Sequence, residues 1–458
     1  MTYVDGVLRV LTTEPDREVL IGGDRRLTRA EARDLLLRYA DGLHQRGVRP
    51  GDGVAVFVGN TPESVLLNLS VHLLGGRLVF VTPERTEDGL RTLVAEAQVK
   101  GVVVDDRFDD RLDGWPIAEL PGEPVERAGE PGFSTVLATG GTTGVPKHPV
   151  HGDLMYEVLA ARAAFPPANV LVSTLVTHGT GHIHSTMGMV TGSKVVMLPQ
   201  PFDAGVFIET VRAEQITVTN LVTPMLFDVL DHPDCPGPGV LHRIGIGGSP
   251  ISPVRLRQAL ERFGPVVWQG YGLSEALGVA MMNPADIDFD RPETLLTCGR
   301  PFPGIKLEIR DGVVWLGGPT VMRGYWGQPP LDGMLDTGDM GHLDSNGFLY
   351  LVDRSKDVIV TGPAAGNVYS RLIDDFLVTL PGIRAAAAVG APDERYGEAV
   401  HVFVVPEPGF PVDTDLVRAA VAAELGELYE PRGVTVLDRL PSTRVGKVDK
   451  KALRSTLA

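Results

Sequence analysis

Four clusters in this chain combine residue types that can do chemistry. The first is Thr139-Gly140-Gly141-Thr142-Thr143-Gly144-Val145-Pro146-Lys147, just after the apolar pair Val136-Leu137. Its glycines leave backbone N–H groups free to surround phosphate oxygens, its threonine hydroxyls add donors, and Lys147 adds charge. It is not a Walker loop, because the lysine follows Pro146 and no Ser or Thr comes next to hold magnesium. The second is Trp268-Gln269-Gly270-Tyr271-Gly272-Leu273-Ser274-Glu275. A flat aromatic beside glycines can stack on a purine, and a carboxylate just past them can hold a divalent cation. The third pairs Asp336-Thr337-Gly338-Asp339 with Asp353-Arg354-Ser355-Lys356-Asp357. A carboxylate can take both hydroxyls of a ribose, and a guanidinium can reach sugar or phosphate oxygens. The fourth, Pro441-Ser442-Thr443-Arg444-Val445-Gly446-Lys447, can deliver a lysine on a flexible segment to a charged centre. Taken one at a time, these are also what a Gly/Thr turn, a solvated acid, a surface charge cluster and a basic tail look like.

His178, His182 and His184 form a further set with HxxxHxH spacing, which could ligate zinc on a suitable element. No acid or cysteine nearby completes the set, and Gly179 and Gly181 are expected to spoil a helix there. Metal binding by these histidines is therefore disfavoured.

Something must position these clusters, and the first third of the chain alternates helical and strand patterns. Thr28 precedes Glu31 at capping-box spacing, with Ala32, Leu35, Leu36, Tyr39 and Leu43 following at helical period and Gly47 as a stop. Val54–Val58 reads as a buried strand, Pro62–Leu74 as a helix and Leu78–Val81 as another strand. That rhythm, which returns from Val170 to Val222, predicts crossover units and a largely parallel sheet. Residues 107–133 are rich in Asp, Glu, Pro and Gly and read as surface loop. From about residue 340 the texture changes to short strands, with a turn at Asp344-Ser345-Asn346-Gly347. A helix near 370–380, strands near 384–389 and 401–405 and a helix at Leu416–Leu425 then follow. A domain boundary is expected near 353–357, giving units 1–353 and 354–458.

The whole chain has 458 residues and 42 Lys+Arg against 58 Asp+Glu, a formal charge of −16. The apolar fraction of 43% is ample for a core. The acidic balance argues against a nucleic-acid scaffold, whose phosphate contacts need clustered Lys and Arg. Two cysteines, Cys235 and Cys298, cannot make a disulfide framework or a four-ligand zinc site by themselves. No apolar run approaches the roughly 18 residues of a membrane helix, and the first residues do not read as a signal peptide. A cytoplasmic setting without membrane contact is the expectation.

Together and in this order, the four clusters resemble the acyl-adenylate-forming (AMP-binding) superfamily, and among its members the acyl- and aryl-CoA ligases. Gly247-Gly248-Ser249-Pro250, Gly324-Tyr325-Trp326, Pro392-Asp393 and Gly397-Glu398 match as well. The resemblance covers residues from about 20 to 455. It implies an α/β fold: a large N-terminal domain of layered sheets and helices, and a small mobile α+β C-terminal domain. It also implies ATP, Mg²⁺ and CoA, or a carrier-protein phosphopantetheine, as cofactors. By position, Thr139, Gly140, Gly141, Thr142, Thr143, Gly144 and Lys147 look like the phosphate loop. Gly248, Ser249, Pro250, Gln269, Tyr271 and Gly272 look like the adenine and AMP wall. Ser274 matches a hydroxyl at the α-phosphate, Glu275 the magnesium ligand, Asp339 the ribose ligand and Arg354 its helper. Lys356 matches the hinge and Lys447 the adenylation lysine.

His178-Gly179-Thr180-Gly181-His182 matches the segment where many such ligases carry a histidine near the acid pocket, so His178 joins the catalytic candidates. Amino-acid-activating relatives usually place an Asp shortly after, and none occurs from His178 to Met189. An apolar or aromatic acid is therefore expected. Two departures stand out. Family members usually follow the hinge with Gly-Gly-Glu-Asn-Ile-Tyr-Pro, whereas here Pro363 and Ser370 intervene and the Glu is missing. His148-Pro149-Val150-His151 replaces the common Gly-Val run after Lys147. The expected activity is ATP-dependent acid activation through an acyl-adenylate, then transfer to CoA. The alternative acceptor is an acyl carrier protein or a non-thiol nucleophile such as an amine, and the sequence leaves a homodimer open.

Overall fold

In the computed structural model, the described residues are 1–81, 87–105, 107–108, 110–137, 147–163, 166–362, 366–443 and 447–457. Thr28 caps the helix Arg29–Gln45: its N–H donates to Glu31 Oε2 at 2.8 Å, and Glu31 N–H donates to Thr28 Oγ1 at 3.3 Å. Such a cap contributes about 1 kcal/mol. The alternation expected after it is present as strand Gly53–Phe57, helix Pro62–Leu73 and strand Arg77–Phe80. All of Pro62–Leu73 except Glu63 is buried. Its sequence is apolar on all sides, which suits a helix lying between layers rather than on the surface. It touches helices Arg29–Gln45 and Gly179–Thr191 and strands from two different sheets.

Among the described residues the larger of these sheets has nine strands. Six neighbours run parallel in the order Val267–Leu273, Arg243–Gly247, Val218–Val222, Asn169–Val172, Lys194–Met197 and Glu18–Gly22. Antiparallel strands close both edges. The second sheet has seven strands, with Arg77–Phe80, Gly53–Phe57 and Val99–Val104 parallel at its centre. Parallel strands all finish at one edge, and ligand sites in such sheets gather beyond that edge. The Gly247-Gly248-Ser249-Pro250 segment leaves the nine-stranded sheet there.

A four-stranded antiparallel sheet follows, built from Lys306–Arg310, Val313–Gly317, Leu335–Leu343 and Leu349–Arg354. Beyond it, Ile383–Asp393, Gly397–Pro406 and Gly433–Val436 make a three-stranded sheet. Helices Ser370–Leu377 and Thr414–Leu425 supply it with a separate core that includes Ile373, Leu377, Val402, Val404, Val417 and Val421.

Residues 107–133 differ from the expected surface loop. Leu120 and Phe133 are fully buried, and a short strand Trp115–Pro116 pairs with Val103 and Val104. Polar composition hid these anchors, because a few buried apolar side chains are enough to fasten an otherwise solvated segment.

Candidate active site

A cleft of about 3500 Å³ runs from the ends of the parallel strands to the C-terminal sheet. At its centre the strands Val267–Leu273 and Ala276–Met282 form an antiparallel hairpin, with Ser274 and Glu275 at the tip. The tip is tight: a Cβ on Gly272 would come within 3.1 Å of the Ala276 carbonyl oxygen and the Gly278 nitrogen. Three contacts hold it. His151 Nε2 donates to the Ser274 carbonyl at 2.7 Å, Met322 N–H donates to the Glu275 carbonyl at 2.7 Å, and the Tyr325 hydroxyl donates to Glu275 Oε1 at 2.9 Å. Because a carbonyl only accepts, His151 carries its proton on Nε2. Burial pushes its pKa down to about 4, so the ring is neutral near pH 7. Lys147 Nζ lies 4.9 Å from the Tyr325 ring centroid, so Tyr325 joins the lysine to the carboxylate.

The register of the four-stranded sheet sets Asp339 opposite Arg354. Arg354 Nε meets Asp339 Oδ1 at 2.5 Å, and the Tyr271 hydroxyl donates to Asp339 Oδ2 at 2.6 Å. The sheet thus ties the third sequence cluster to the second. Burial, then the Asp339 charge, push the Tyr271 hydroxyl pKa up, so it stays a donor.

Lys447 enters this group from the C-terminal end. Its side chain keeps accessible surface because it projects into the cleft, while the cleft walls crowd it. That crowding and the Arg354 charge push its pKa down, and Asp339 and Glu275 oppose the shift. Lys356 is also lowered, chiefly by burial. Glu275, Asp339, Arg354 and Lys447, up to 172 residues apart in sequence, therefore share one electrostatic neighbourhood. Gln269 is buried at the base of the hairpin, and Gly248, Ser249 and Pro250 line the same cleft. Gly248 takes φ +84°, a value that suits glycine, and the Ser249 carbonyl accepts from Thr223 Oγ1 at 2.9 Å. Thr139, Gly140, Gly141, Thr142, Thr143 and Gly144 lie outside the described residues.

The other wall is a helix. Gly179 and Gly181 do not break it: Gly179–Thr191 is α-helical, with His178 at its N-cap. The reason is close packing. A Cβ on Gly181 would fall 2.1 Å from the Leu175 carbonyl oxygen, and one on Gly188 would fall 2.5 Å from Val195. The three histidines diverge. His178 lines the cleft, His182 bonds the Tyr156 hydroxyl through Nε2 at 2.8 Å, and His184 Nδ1 lies 2.7 Å from the Thr180 carbonyl. Burial lowers His182 to about 3 and His184 to about 4. Among the described residues no group of three or more His, Cys, Asp or Glu is placed to hold a metal ion.

Sequence reading missed the roles of His151 and Tyr325 in holding the hairpin. His151 sits in the His148–His151 stretch that departs from the family pattern, and Tyr325 in the Gly324-Tyr325-Trp326 run that matches it; those were the available signals.

Residues 8–326 match the profile of the AMP-binding enzyme family, and residues 372–447 that of the AMP-binding enzyme C-terminal domain. The chain belongs to the AMP-binding enzyme family, as the ordered clusters led us to expect. It is 30% identical to the medium/long-chain-fatty-acid–CoA ligase FadD8 of Mycobacterium tuberculosis, over 97% of this chain and 88% of that one. Its fold is similar to that of the amide bond synthetase McbA from Marinactinospora thermotolerans, with TM-score 0.88, 30% identity, and 100% and 99% of the two chains covered. It is also similar to the o-succinylbenzoate CoA synthetase MenE from Bacillus subtilis in complex with the acyl-adenylate intermediate OSB-AMP, with TM-score 0.85, 25% identity, and 98% and 97% covered.

Proposed function

We propose that the protein activates a carboxylic acid with ATP, releases pyrophosphate, and passes the acyl group from the resulting adenylate to CoA. The observation that carries this reading is the convergence of Glu275, Asp339, Arg354 and Lys447 on one cleft beside Lys147. In the first step a carboxylate oxygen bonds to the α-phosphorus while the bond to the pyrophosphate oxygen breaks. Both reactants are anions, so fixed cations must offset their repulsion. Lys447 would do this at the α-phosphate and Lys147 at the departing phosphates, with the Ser274 hydroxyl as an added donor. Asp339 would accept from the ribose hydroxyls, with Arg354 and Tyr271 fixing its orientation. Gly248, Ser249, Pro250, Gln269 and Gly272 would flank the adenine, and Thr139 to Gly144 would wrap the phosphates. His178, at the helix N-cap, would face the acid carboxylate.

Glu275 fits a divalent cation: Tyr325 occupies one lone pair of one oxygen, and the remaining acceptor capacity is directed to the cleft. Mg²⁺ held there would neutralise phosphate charge. In our reading residues 354–458 form a lid that turns at Lys356. Two contacts across that junction support a defined lid position: the Ser370 hydroxyl donates to Asp353 Oδ2 at 2.9 Å, and Arg371 Nη1 donates to the Leu351 carbonyl at 3.2 Å. Both cysteines are buried as free thiols, which supports a reducing cytoplasmic setting.

An amine or a carrier-protein thiol as acceptor is the second reading. The similarity to an amide bond synthetase and the departures at Pro363 and Ser370 favour it. Pyrophosphate release measured across a panel of acids, with CoA, an amine or a carrier protein added, tests both. Acid-dependent pyrophosphate with CoA thioester supports the first; amide or carrier thioester without CoA turnover supports the second. No acid-dependent pyrophosphate with any member of the panel would overturn the activity.

A further inference from the structure

Helix Ser370–Leu377 belongs to the C-terminal core, yet its N-cap residue, Tyr369, supplies no capping side chain. The cap comes from outside the C-terminal unit. Asp353, on strand Leu349–Arg354, accepts at Oδ2 from the Arg371 N–H at 3.2 Å and from the Ser370 hydroxyl at 2.9 Å. A carboxylate there satisfies one of the open N–H groups of the first helical turn, the usual task of a capping side chain. Its Oδ1 accepts from the Arg354 N–H at 2.7 Å, beside the guanidinium that pairs with Asp339.

Ser370 is fully buried, and its hydroxyl works in both directions. While it donates to Asp353, it accepts from Lys450 Nζ at 2.8 Å. The same ammonium lies 2.7 Å from Asp374 Oδ2, and Asp374 Oδ1 accepts from the Ala388 N–H at 2.5 Å. The two side chains of this ion pair are only 17% and 21% exposed, so salt screens it weakly. Lys450 is thereby fastened to the C-terminal core. It stands three residues after Lys447, a span of at most about 11 Å. On the other side, the Lys447 carbonyl accepts from the Thr443 N–H at 2.6 Å, and the Lys447 N–H donates to Thr443 Oγ1 at 3.2 Å.

We propose that Asp353, Ser370 and Lys450 are positioning residues for Lys447: their hydrogen-bonded chain latches the C-terminal unit where its lysine reaches the cleft. The inference rests on the proposed acid activation and lid, and names what holds that lid for the first half-reaction. Asp353 precedes Lys356 and Ser370 follows it, so the bond between them breaks when the lid turns. Lys450, Ser370 and Asp374 all lie beyond Lys356, so their mutual bonds survive the turn. The latch therefore serves the step that uses Lys447 and not acyl transfer. A proline, which the family pattern places at position 370, has no hydroxyl and would make neither bond.

The test separates the two half-reactions, with the acid and the acceptor that turn over fastest in the panel above. Ser370→Ala removes the hydroxyl with little change of shape. Single-turnover adenylation is expected to slow about ten- to hundredfold, the range for a hydrogen bond to a charged group, with the KM for the acid unchanged. Acyl transfer from the purified synthetic adenylate should stay at the wild-type rate or rise. Asp353→Asn keeps an acceptor oxygen and should lose less adenylation than Asp353→Ala. Adenylation at the wild-type rate in Ser370→Ala overturns the inference. So does an equal slowing of both half-reactions, which is what general damage to the lid would give. If Ser370→Ala fails to fold, as judged by its thermal midpoint, the two Asp353 variants decide by the same comparison. Pyrophosphate release with an unaltered ratio of half-reactions sinks only this inference; no pyrophosphate from any acid with wild type sinks the proposed function and this inference with it.

Discussion

At the hairpin end of the cleft, Asp339 sits between the Arg354 guanidinium and the Tyr271 hydroxyl, and Lys447 reaches in among them. Along the helix Gly179–Thr191, His182 and His184 are instead driven to about 3 and 4 by burial, and His151 behind the hairpin to about 4. One end gathers formal charges of both signs around open space. The other strips charge from its imidazoles and holds them by hydrogen bonds to a hydroxyl and carbonyls. Charges can be tolerated at the first end because each lies near an opposite charge and the cleft admits water. The second end is more enclosed, and there neutral polar groups cost less than ions.

The largest expected effect comes from removing a cation at the charged end. Lys447→Ala should lower adenylate formation about 10²–10³-fold, or about 2.7–4 kcal/mol, as for loss of one preorganised transition-state donor. ATP binding by calorimetry should remain measurable, since Lys147, Asp339 and Arg354 stay in place. An unchanged adenylation rate would remove Lys447 from the mechanism.

The neutral end should reveal itself through pH. Above pH about 6.5 the histidines are uncharged in both folded and unfolded chains. Below it the unfolded chain takes up protons that the buried rings refuse until about pH 3 to 4. Stability is therefore complete above the unfolded pKa and falls as pH drops toward 4, by at most about 1.4 kcal/mol per pH unit for each ring. Urea unfolding at a series of pH values should show this slope, and His184→Gln should make it shallower. Equal slopes for the two proteins would mean that His184 titrates normally.

The smallest effect probes the join between lysine and carboxylate. Tyr325→Phe removes the hydroxyl donated to Glu275 while keeping the ring under Lys147. A loss of about 0.5–1.5 kcal/mol, roughly two- to twelvefold in adenylation rate, is expected. If the magnesium concentration needed for half activity does not change, Glu275 is not oriented through Tyr325.

The legible part of the site lay in short contiguous runs. Asp336 to Asp339, Gly270 to Glu275 and Gly247 to Pro250 each announce themselves because their backbone turns demand particular residues, and that demand is local. Likewise Thr28 with Glu31, and the apolar runs at 54–58 and 78–81, disclosed their elements locally. The helix at Gly179 to Thr191 was misjudged for the same reason in reverse. Its glycines answer to Leu175 and Val195, close approaches that propensity does not register.

The amino-acid sequence by itself determined the family, the alternation of strands and helices, and the residue types available for phosphate chemistry. Those follow from periodicity and from turns a few residues long. Only the tertiary structure decided that His151 would hold Ser274 across 123 residues and that Tyr325 would reach Glu275 across 50. Such pairings depend on sheet register and on which layer covers which face. Both are settled by burial of the whole apolar core, and no local stretch of residues encodes them.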